Sequence, residues 1–227
     1  MSRYIYTVGA GITGGRKTSV VETSPRFSCC IVYKFMIKLL RIKVFREKGI
    51  FMAYDYNKST ALIIGMTDTD EKVTAASGRI STQEGTALSI WDKSQDREKN
   101  ANLIGKVTAS GHTSTVEHTY FQLAFQNVTA VVEQFIIEFR LASYTVKSRR
   151  YVNFSDAGFY VPEFNDAEIE NSYKAHMSKM FALYDELCAN GVLREDARFV
   201  LPYCLYSNFF CSVNGREFLN MLSAMIC

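Results

Sequence analysis

The chain has no long uncharged hydrophobic run, no C-x-x-C pair and no internal repeat in its 227 residues. Its most apolar early stretch, residues 31–45, is interrupted by four lysines and arginines, whereas a transmembrane helix needs about twenty nearly uncharged residues. The three histidines and six cysteines are not spaced as zinc ligands. These absences exclude a transmembrane helix in that stretch and argue against a structural metal. The size and composition are those of one soluble globular domain.

The cysteines lie in apolar sequence contexts. Cys188 is on the apolar side of a helical pattern, and Cys204 and Cys211 are in apolar runs. A free cysteine in such a context behaves as a small hydrophobe. We therefore expect reduced, buried thiols in a cytoplasmic protein.

Charge is distributed unevenly along the chain. Residues 1–51 contain ten lysines and arginines against two glutamates, a net charge of +8, which leaves −5 for the remainder within the chain total of +3. This basic leader is open to three interpretations: an interfacial basic helix, a signal-like segment, or an artefactual extension ahead of a true start at Met52. We favour the last, because Met52 opens a self-consistent domain pattern. We therefore divide the chain into a leader, disordered or artefactual, and a domain over residues 52–227.

Periodicity and capping residues predict helices and strands that interleave without regular alternation, which favours an α+β fold over a doubly wound sheet. The predicted strands are Thr60–Ile64, Thr119–Phe125 and Leu205–Val213. The predicted helices are Lys72–Ser77 ended at Gly78, Gln95–Ala109 capped by Ser94, Val132 to about Glu138 with Thr129 as N-cap, Asp166–Ala189, Glu195–Leu201 and Arg216–Met225. The helix from Asp166 is the strongest, with an apolar stripe at Ile169, Tyr173, Met177, Met180, Tyr184 and Leu187.

The segment from Glu133 to Val152 runs from a hydrophobic anchor into a cluster of arginines and serines. The cluster consists of Arg140, Ser143, Ser148, Arg149 and Arg150. Guanidinium groups make charge-assisted contacts with phosphate or carboxylate, and hydroxyls add short neutral ones. The pattern is therefore typical of a phosphate site, although a solvated basic turn would have the same composition.

The histidines offer little chemistry by themselves. His112 and His118 flank Glu117, but no nucleophile and no third metal ligand is marked near them. Read alone, they are residues that stabilise a turn through hydrogen bonds to the backbone. His176 lies in the long predicted helix and receives no role. We accordingly assign neither a catalytic residue nor a metal ligand.

Three blocks of residues together resemble the flavin-dependent thymidylate synthases, in order and at similar separations, from about Thr60 to the C-terminus. The blocks are Gly111, His112, Ser114, Glu117 and His118; then Arg140, Ser143, Ser148, Arg150 and Tyr151; then Ala197, Arg198, Val200, Leu201, Pro202, Val213, Asn214, Arg216 and Asn220. They match the family's Gly-His-x-Ser/Thr-x-x-Glu-His segment, the end of its Arg-His-Arg signature with the Ser-x-Arg-Tyr that follows, and its Ala-Arg-x-Val-Leu-Pro and Val-Asn-x-Arg block.

The resemblance implies an enzyme that methylates dUMP to dTMP, with methylenetetrahydrofolate as carbon donor and NADPH reducing a bound FAD. It implies a central, mostly antiparallel sheet flanked by helices and a homotetramer whose active sites draw on several subunits. Carried over by position, the residues against FAD are His112, Ser114, Arg140, Asn214, Arg216 and Asn220. Those that bind dUMP are Ser148, Arg150 and Arg198. No nucleic acid or membrane partner is expected.

The chain departs from the family pattern at four positions. Glu138 and Phe139 stand where the family has Arg-His, Val146 replaces the acidic residue of an Asn-Glu-type pair, and Met225 falls where a late arginine is expected. The chain also stops at Cys227, before the family's closing helices, so we expect a domain that is incomplete at its C-terminus. An altered or inactive paralogue that keeps the flavin and nucleotide sites, or only a structural role, is therefore the alternative. A nucleic-acid or membrane-surface binder acting through the leader ranks last.

Overall fold

The computed structural model describes residues 55–68 and 71–226, so the basic leader lies outside the described residues. The strands are β1 (Thr60–Met66), β2 (Tyr120–Thr129), β3 (Ala142–Val146) and β4 (Tyr206–Asn214). The α-helices are α1 (Lys72–Ile80), α2 (Ala87–Lys93), α3 (Arg97–Ala109), α4 (Ala130–Ile137), α5 (Ala167–Ala189), α6 (Arg194–Ala197) and α7 (Gly215–Ile226), with 3₁₀ helices at Thr113–His118 and Arg198–Val200. None of the helices in this described part is long and apolar enough to cross a membrane.

The described residues fall into two compact units. The first unit contains α1, α2, α3, the 3₁₀ helix Thr113–His118 and α7, and its core is formed by Ala75, Ile104 and Val116 with Leu219 packed against them. The second unit contains the four strands with α4, α5 and α6. Its helical core brings together Phe154, Phe181, Tyr184, Ala197 and Leu205.

The sheet of the second unit has the order β1-β2-β4-β3, and every described pair of neighbouring strands is antiparallel. The expected α+β class with an antiparallel sheet is thus confirmed. Alternation along β2 buries Phe121, Leu123 and Phe125 on one face, as the sequence predicts. Phe125 stacks on Phe209 of β4 with the ring centroids 4.4 Å apart, so a cross-strand aromatic pair fixes the register at the sheet centre.

Of the cysteines expected to be buried, Cys211 is the one that the described structure buries fully. Cys211 on β4 is fully buried, and desolvation raises the pKa of its thiol to about 11, so it stays protonated and unreactive near neutral pH. Cys188 and Cys204 are only half-buried. All three are free thiols.

Two predicted helix boundaries in the first unit are wrong. Helix α1 does not end at Gly78 but continues to Ile80, because Gly78 is buried where the helix packs on the side chains of Thr115 and Leu103. Ser94 does not cap α3: its hydroxyl donates to the Ile90 carbonyl, and Asp96 is the residue whose carboxylate accepts from a first-turn amide, that of Lys99. Helix α2 was not predicted at all.

The long helix α5 is confirmed at both ends, with Asp166 as its N-cap. The predicted stripe is only partly correct, since Ile169 and Met180 are exposed and the most buried positions are Phe181 and Tyr184. The predicted helix Glu195–Leu201 begins one residue earlier and tightens into the 3₁₀ helix after Ala197. Tertiary packing therefore selects a narrower face than the periodicity indicates.

Two glycines of the first unit provide a matched test of this packing. A Cβ at Gly78 would meet its nearest neighbours at 3.8–3.9 Å, which is ordinary contact, whereas a Cβ at Gly215 would lie 2.5 Å from the Val116 carbonyl oxygen. We expect Gly78→Ala to raise the free energy of unfolding by about 0.5–1 kcal/mol, because alanine costs less backbone entropy in a helix. Gly215→Ala should lower it by about 2 kcal/mol through overpacking. Urea unfolding of both variants checks this, and equal effects of the two would contradict it.

Candidate functional site

The arginine- and serine-rich cluster predicted from the sequence is divided by β3: Arg140 precedes the strand, Ser143 lies within it, and Ser148, Arg149 and Arg150 are in the loop that follows it in the second unit. Ser148 accepts a hydrogen bond from the amide of Arg150 at 3.2 Å, and its carbonyl accepts one from Val152 at 3.0 Å. These local bonds turn the chain sharply, so consecutive arginine side chains are directed to different partners. Arg149 and Arg150 each bind a different glutamate.

Arg149 is the buried member of the two. Its Nη1 and Nη2 donate to Oε1 and Oε2 of Glu133 at 3.0 and 2.9 Å, with side-chain exposures of 23% for the arginine and 6% for the glutamate. Glu133 lies in the first turn of α4, whose N-cap Thr129 accepts from Val132. This bidentate pair therefore fastens the arginine loop to the start of α4.

Arg150 and Arg198, both predicted to bind nucleotide, meet at Glu195. Arg150 Nε and Nη2 each lie 2.6 Å from Oε2 of Glu195, and Arg198 Nε donates to the Glu195 carbonyl oxygen at 2.8 Å. Arg194 adds a bond from Nη1 to the carbonyl of Tyr151 at 3.0 Å. The structure thus brings together two arginines that are 48 residues apart in the chain.

Two open cavities lie along these elements of the second unit. One, of about 460 Å³, is lined by Arg150, Tyr151, Arg194 and Glu195 together with the turn at Gly191–Leu193. Its volume is within the range of about 300–1,000 Å³ typical of small-molecule sites. The other, of about 260 Å³, is lined by a mixed set of polar and apolar residues: Ala130, Glu133, Gln134, Arg149, Arg198, Phe199, Leu201, Pro202, Tyr203 and Leu205. Each cavity therefore contains one of the predicted nucleotide-binding arginines.

Exposed aromatic rings accompany these arginines. The Arg150 guanidinium lies 5.7 Å from the ring centroid of Tyr151, and that of Arg198 lies 5.3 Å from Phe199. Tyr151, Phe199 and Tyr203 all expose more than two thirds of their surface. Cations beside accessible π-faces suit a ligand that carries both a phosphate and a flat base.

The Arg-His position of the family signature is occupied by a different local structure. Glu138 is exposed at the C-cap of α4, where the helix dipole disfavours an anion. Phe139 packs edge-on against Phe135, with the ring centroids 5.7 Å apart. Tyr144 donates from its hydroxyl to the carbonyls of Ile136 and Phe139 at 2.8 and 2.9 Å and so closes the end of α4. Phe139 is thus part of an apolar contact and its side chain offers no polar group.

Four residues predicted to contact FAD lie in the first unit. Two of them, His112 and Ser114, follow Gly111, which adopts φ +84 just past the end of α3, where a Cβ would meet nothing within 4 Å, so glycine is needed there for its backbone conformation. The turn exposes the side chains of His112 and Ser114. Arg216 donates from Nη1 to Oε1 of Glu117 at 2.7 Å, which ties the start of α7 to the 3₁₀ helix.

The last of these four is Asn220, one turn further along α7. Its Nδ2 donates to Oε2 of the buried Glu217 at 3.0 Å. The two remaining flavin candidates are in the second unit, where Arg140 is exposed in the turn before β3 and Asn214 ends β4. Among the residues described, no cluster of three or more metal-ligating side chains occurs.

The sequence matches the family described as thymidylate synthase complementing protein over residues 62–227. The chain belongs to this family. The matched range contains all three blocks singled out above. The resemblance recognised in the sequence is confirmed.

Individual members of the family share less than a third of their aligned residues with this chain. The chain is 29% identical to a flavin-dependent thymidylate synthase of Pyrococcus abyssi over 154 residues, covering 62% of this chain and 63% of that protein. It is 30% identical to one of Pyrococcus furiosus over 130 residues, covering 55% and 53% respectively. The chain therefore spans between about half and two thirds of the length of these curated relatives.

A solved structure supports the fold of this family member. The crystal structure of a UMP/dUMP methylase from Streptomyces cacaoi, bound with 5-Br dUMP, superposes with a TM-score of 0.64. The identity is 22%, over 73% of this chain and 77% of the other. At this identity the likeness shows that the fold is shared.

Sequence reasoning missed the acidic residues of the site. The Glu195 carboxylate pairs with Arg150, which lies 45 residues earlier in the chain. Glu133 and Arg149 are sixteen residues apart and meet only because the chain reverses between α4 and the loop after β3. No local signal indicates that pair.

Proposed function

We propose that this family member is an FAD-dependent thymidylate synthase, a methyltransferase that converts dUMP to dTMP in the cytoplasm. The observation that carries the proposal is that Arg150 and Arg198, which come from two separate family blocks, both contact Glu195 and that each lines a cavity. We also propose the homotetramer that the family resemblance implies, without a nucleic acid or membrane partner.

The dUMP residues have roles that follow from their chemistry. Arg198 uses Nε on the Glu195 carbonyl, and a guanidinium has five N–H donors, so its terminal nitrogens remain for a phosphate. Arg150 supplies a second positive charge from the neighbouring loop. Ser148 holds the Arg150 backbone through its hydroxyl and adds a neutral contact. Together these residues bind and orient the phosphate end of the nucleotide.

The flavin residues fit a dinucleotide in donor chemistry. His112, Ser114 and Arg140 are exposed, and Arg216 gives one terminal nitrogen to Glu117, so that further donors remain for a diphosphate. Asn214 and Asn220 add amide groups. When bound, FAD reduced by NADPH would supply the hydride, while methylenetetrahydrofolate supplies the carbon. The protein's part is to position the nucleotide, the folate and the flavin and to keep water away.

A second candidate is an altered paralogue that binds flavin or nucleotide without turnover, or that acts in assembly alone. Specific observations favour it: Glu138 puts an anion where the family has a cation, and Phe139 is engaged in an aromatic contact. Arg150 and Arg216 are, in addition, each paired with a carboxylate in the structure. The leader-based alternative concerns residues outside the described part.

Restoring the family residues is expected to strengthen nucleotide binding. The double variant Glu138→Arg, Phe139→His replaces an anion by the cation that the family has at this position and should tighten dUMP binding by about three- to tenfold, through charge attraction without a direct contact. Calorimetric titration measures it. Glu138→Gln is the matched control and should give a smaller gain. Unchanged affinity in the double variant would count against an inherited dUMP site.

The assay for the proposed function is dTMP formation. Protein incubated with FAD, dUMP, methylenetetrahydrofolate and NADPH should give dTMP by chromatography, and omission of any one component should abolish the product. Binding of FAD and dUMP without dTMP would instead support the altered paralogue. Absence of both binding and product would leave only the role in assembly.

A further inference from the structure

The carboxylate of Glu195 binds the guanidinium of Arg150, which the proposed function assigns to the substrate phosphate. Its Oε2 accepts from both Nε and Nη2 of Arg150 at 2.6 Å. A phosphate oxygen approaching Arg150 on this side would meet a carboxylate of the same charge. A phosphate on this side of the guanidinium therefore binds only if the ion pair opens or shares its donors.

The Arg150–Glu195 ion pair is exposed enough for another anion to replace the carboxylate. Its side chains are 54% and 37% exposed, and both contacts converge on one carboxylate oxygen. Exposed ion pairs contribute little to stability and are screened by salt. The neighbouring Arg149–Glu133 pair is the opposite case, since it is bidentate and largely buried. The two consecutive arginines thus form one fixed contact and one that can be released.

We propose that Glu195 sets the affinity of the site by competing with the substrate phosphate for Arg150. This inference rests on the proposed function, in that it takes the ligand to be a nucleoside monophosphate. Glu195 keeps Arg150 ordered and its charge neutralised until a phosphate replaces the carboxylate. A phosphate monoester offers more charge and more acceptor oxygens than a carboxylate, so the exchange favours phosphate-bearing ligands over the corresponding nucleosides.

The side chain and the backbone of Glu195 have separable roles. Arg198 is held by the carbonyl oxygen of Glu195, not by its carboxylate. The substitution Glu195→Gln therefore leaves the Arg198 contact in place and removes only the charge that faces Arg150. A change in ligand affinity on this substitution reports on the competition and not on a displaced Arg198.

The test is calorimetric titration of wild-type protein and Glu195→Gln with dUMP, deoxyuridine and inorganic phosphate. We expect Glu195→Gln to bind dUMP and inorganic phosphate about three- to tenfold more tightly, with deoxyuridine unchanged. The gain should vanish in the double variant Glu195→Gln, Arg150→Met, because the competition needs Arg150. Equal or weaker binding of both phosphate-bearing ligands by Glu195→Gln would overturn the proposal.

Glu170→Gln is the matched control. Glu170 pairs with Lys174 on the surface of α5, with an exposure of 35% that is close to that of Glu195, so its loss should change no affinity. If Glu195→Gln does not fold, Glu195→Asp keeps the charge on a shorter side chain, and weaker binding by that variant would overturn the proposal. If no variant binds dUMP while Glu195→Gln still tightens inorganic phosphate, the substrate assignment fails and the competition stands.

Discussion

Substitution of Glu133 by glutamine is expected to lower the free energy of unfolding by about 3 kcal/mol. Removing one partner of a buried ion pair typically costs about 3–5 kcal/mol, because the other charge stays buried and uncompensated. Glutamine keeps one oxygen for Arg149 but presents an amide NH₂ where the second carboxylate oxygen accepts a bond. Arg149 also has a buried Nε without a hydrogen-bond partner, so it has little capacity to compensate.

Urea unfolding measures this loss, with Glu170→Gln as the control. That substitution breaks an exposed pair with Lys174 and should cost less than about 0.5 kcal/mol. Replacing both charges together, as Glu133→Met with Arg149→Met, should recover most of the loss because no charge is then left unpaired. A Glu133→Gln variant within about 1 kcal/mol of the wild type would show that the pair does not fasten the arginine loop.

Substitution of Arg198 by methionine is expected to weaken dUMP binding by about 10- to 100-fold. A hydrogen bond to a charged group contributes about 1.5–3 kcal/mol, and each 1.4 kcal/mol is about a factor of ten in affinity. Methionine keeps the apolar stem that lines the 260 Å³ cavity and removes only the guanidinium. Arg198→Lys, which keeps the charge without the planar fork, should lose less.

Titration with dUMP and deoxyuridine separates the phosphate contribution from the base. The loss on Arg198→Met should be confined to dUMP if Arg198 binds the phosphate. Arg97→Met is the control, because Arg97 is an exposed arginine on α3 in the first unit and should leave both ligands unaffected. A loss shared equally by dUMP and deoxyuridine would contradict a phosphate-binding role for Arg198.

The fold was largely predictable because its strongest signals are local. The alternation of Phe121, Leu123 and Phe125, the Thr129 cap and the Asp166 cap each act over a few residues, and each is confirmed. The errors occur where distant contacts override local preference. Gly78, for instance, normally favours a helix end, but here close packing against neighbouring side chains keeps it within α1.

In the candidate site, too, the features that depend on local sequence were predicted and those that depend on distant contacts were not. The family blocks predict its arginines, because the order and spacing of the blocks can be read along the chain. The pairing of arginines with carboxylates was not predicted, since the Glu133–Arg149 and Arg216–Glu117 pairs join residues 16 and 99 positions apart. The sequence therefore predicted where positive charge lies but not how much of it is already neutralised.

The most direct measurement of the central claim is the visible absorption spectrum of the purified protein, supplied with FAD and then titrated with dUMP. We predict a bound-flavin spectrum that shifts as dUMP is added, because the retained nucleotide residues and the retained flavin residues are then both functional. A protein that takes up no FAD, or a flavin spectrum that does not respond to dUMP, would contradict a thymidylate synthase site in this chain.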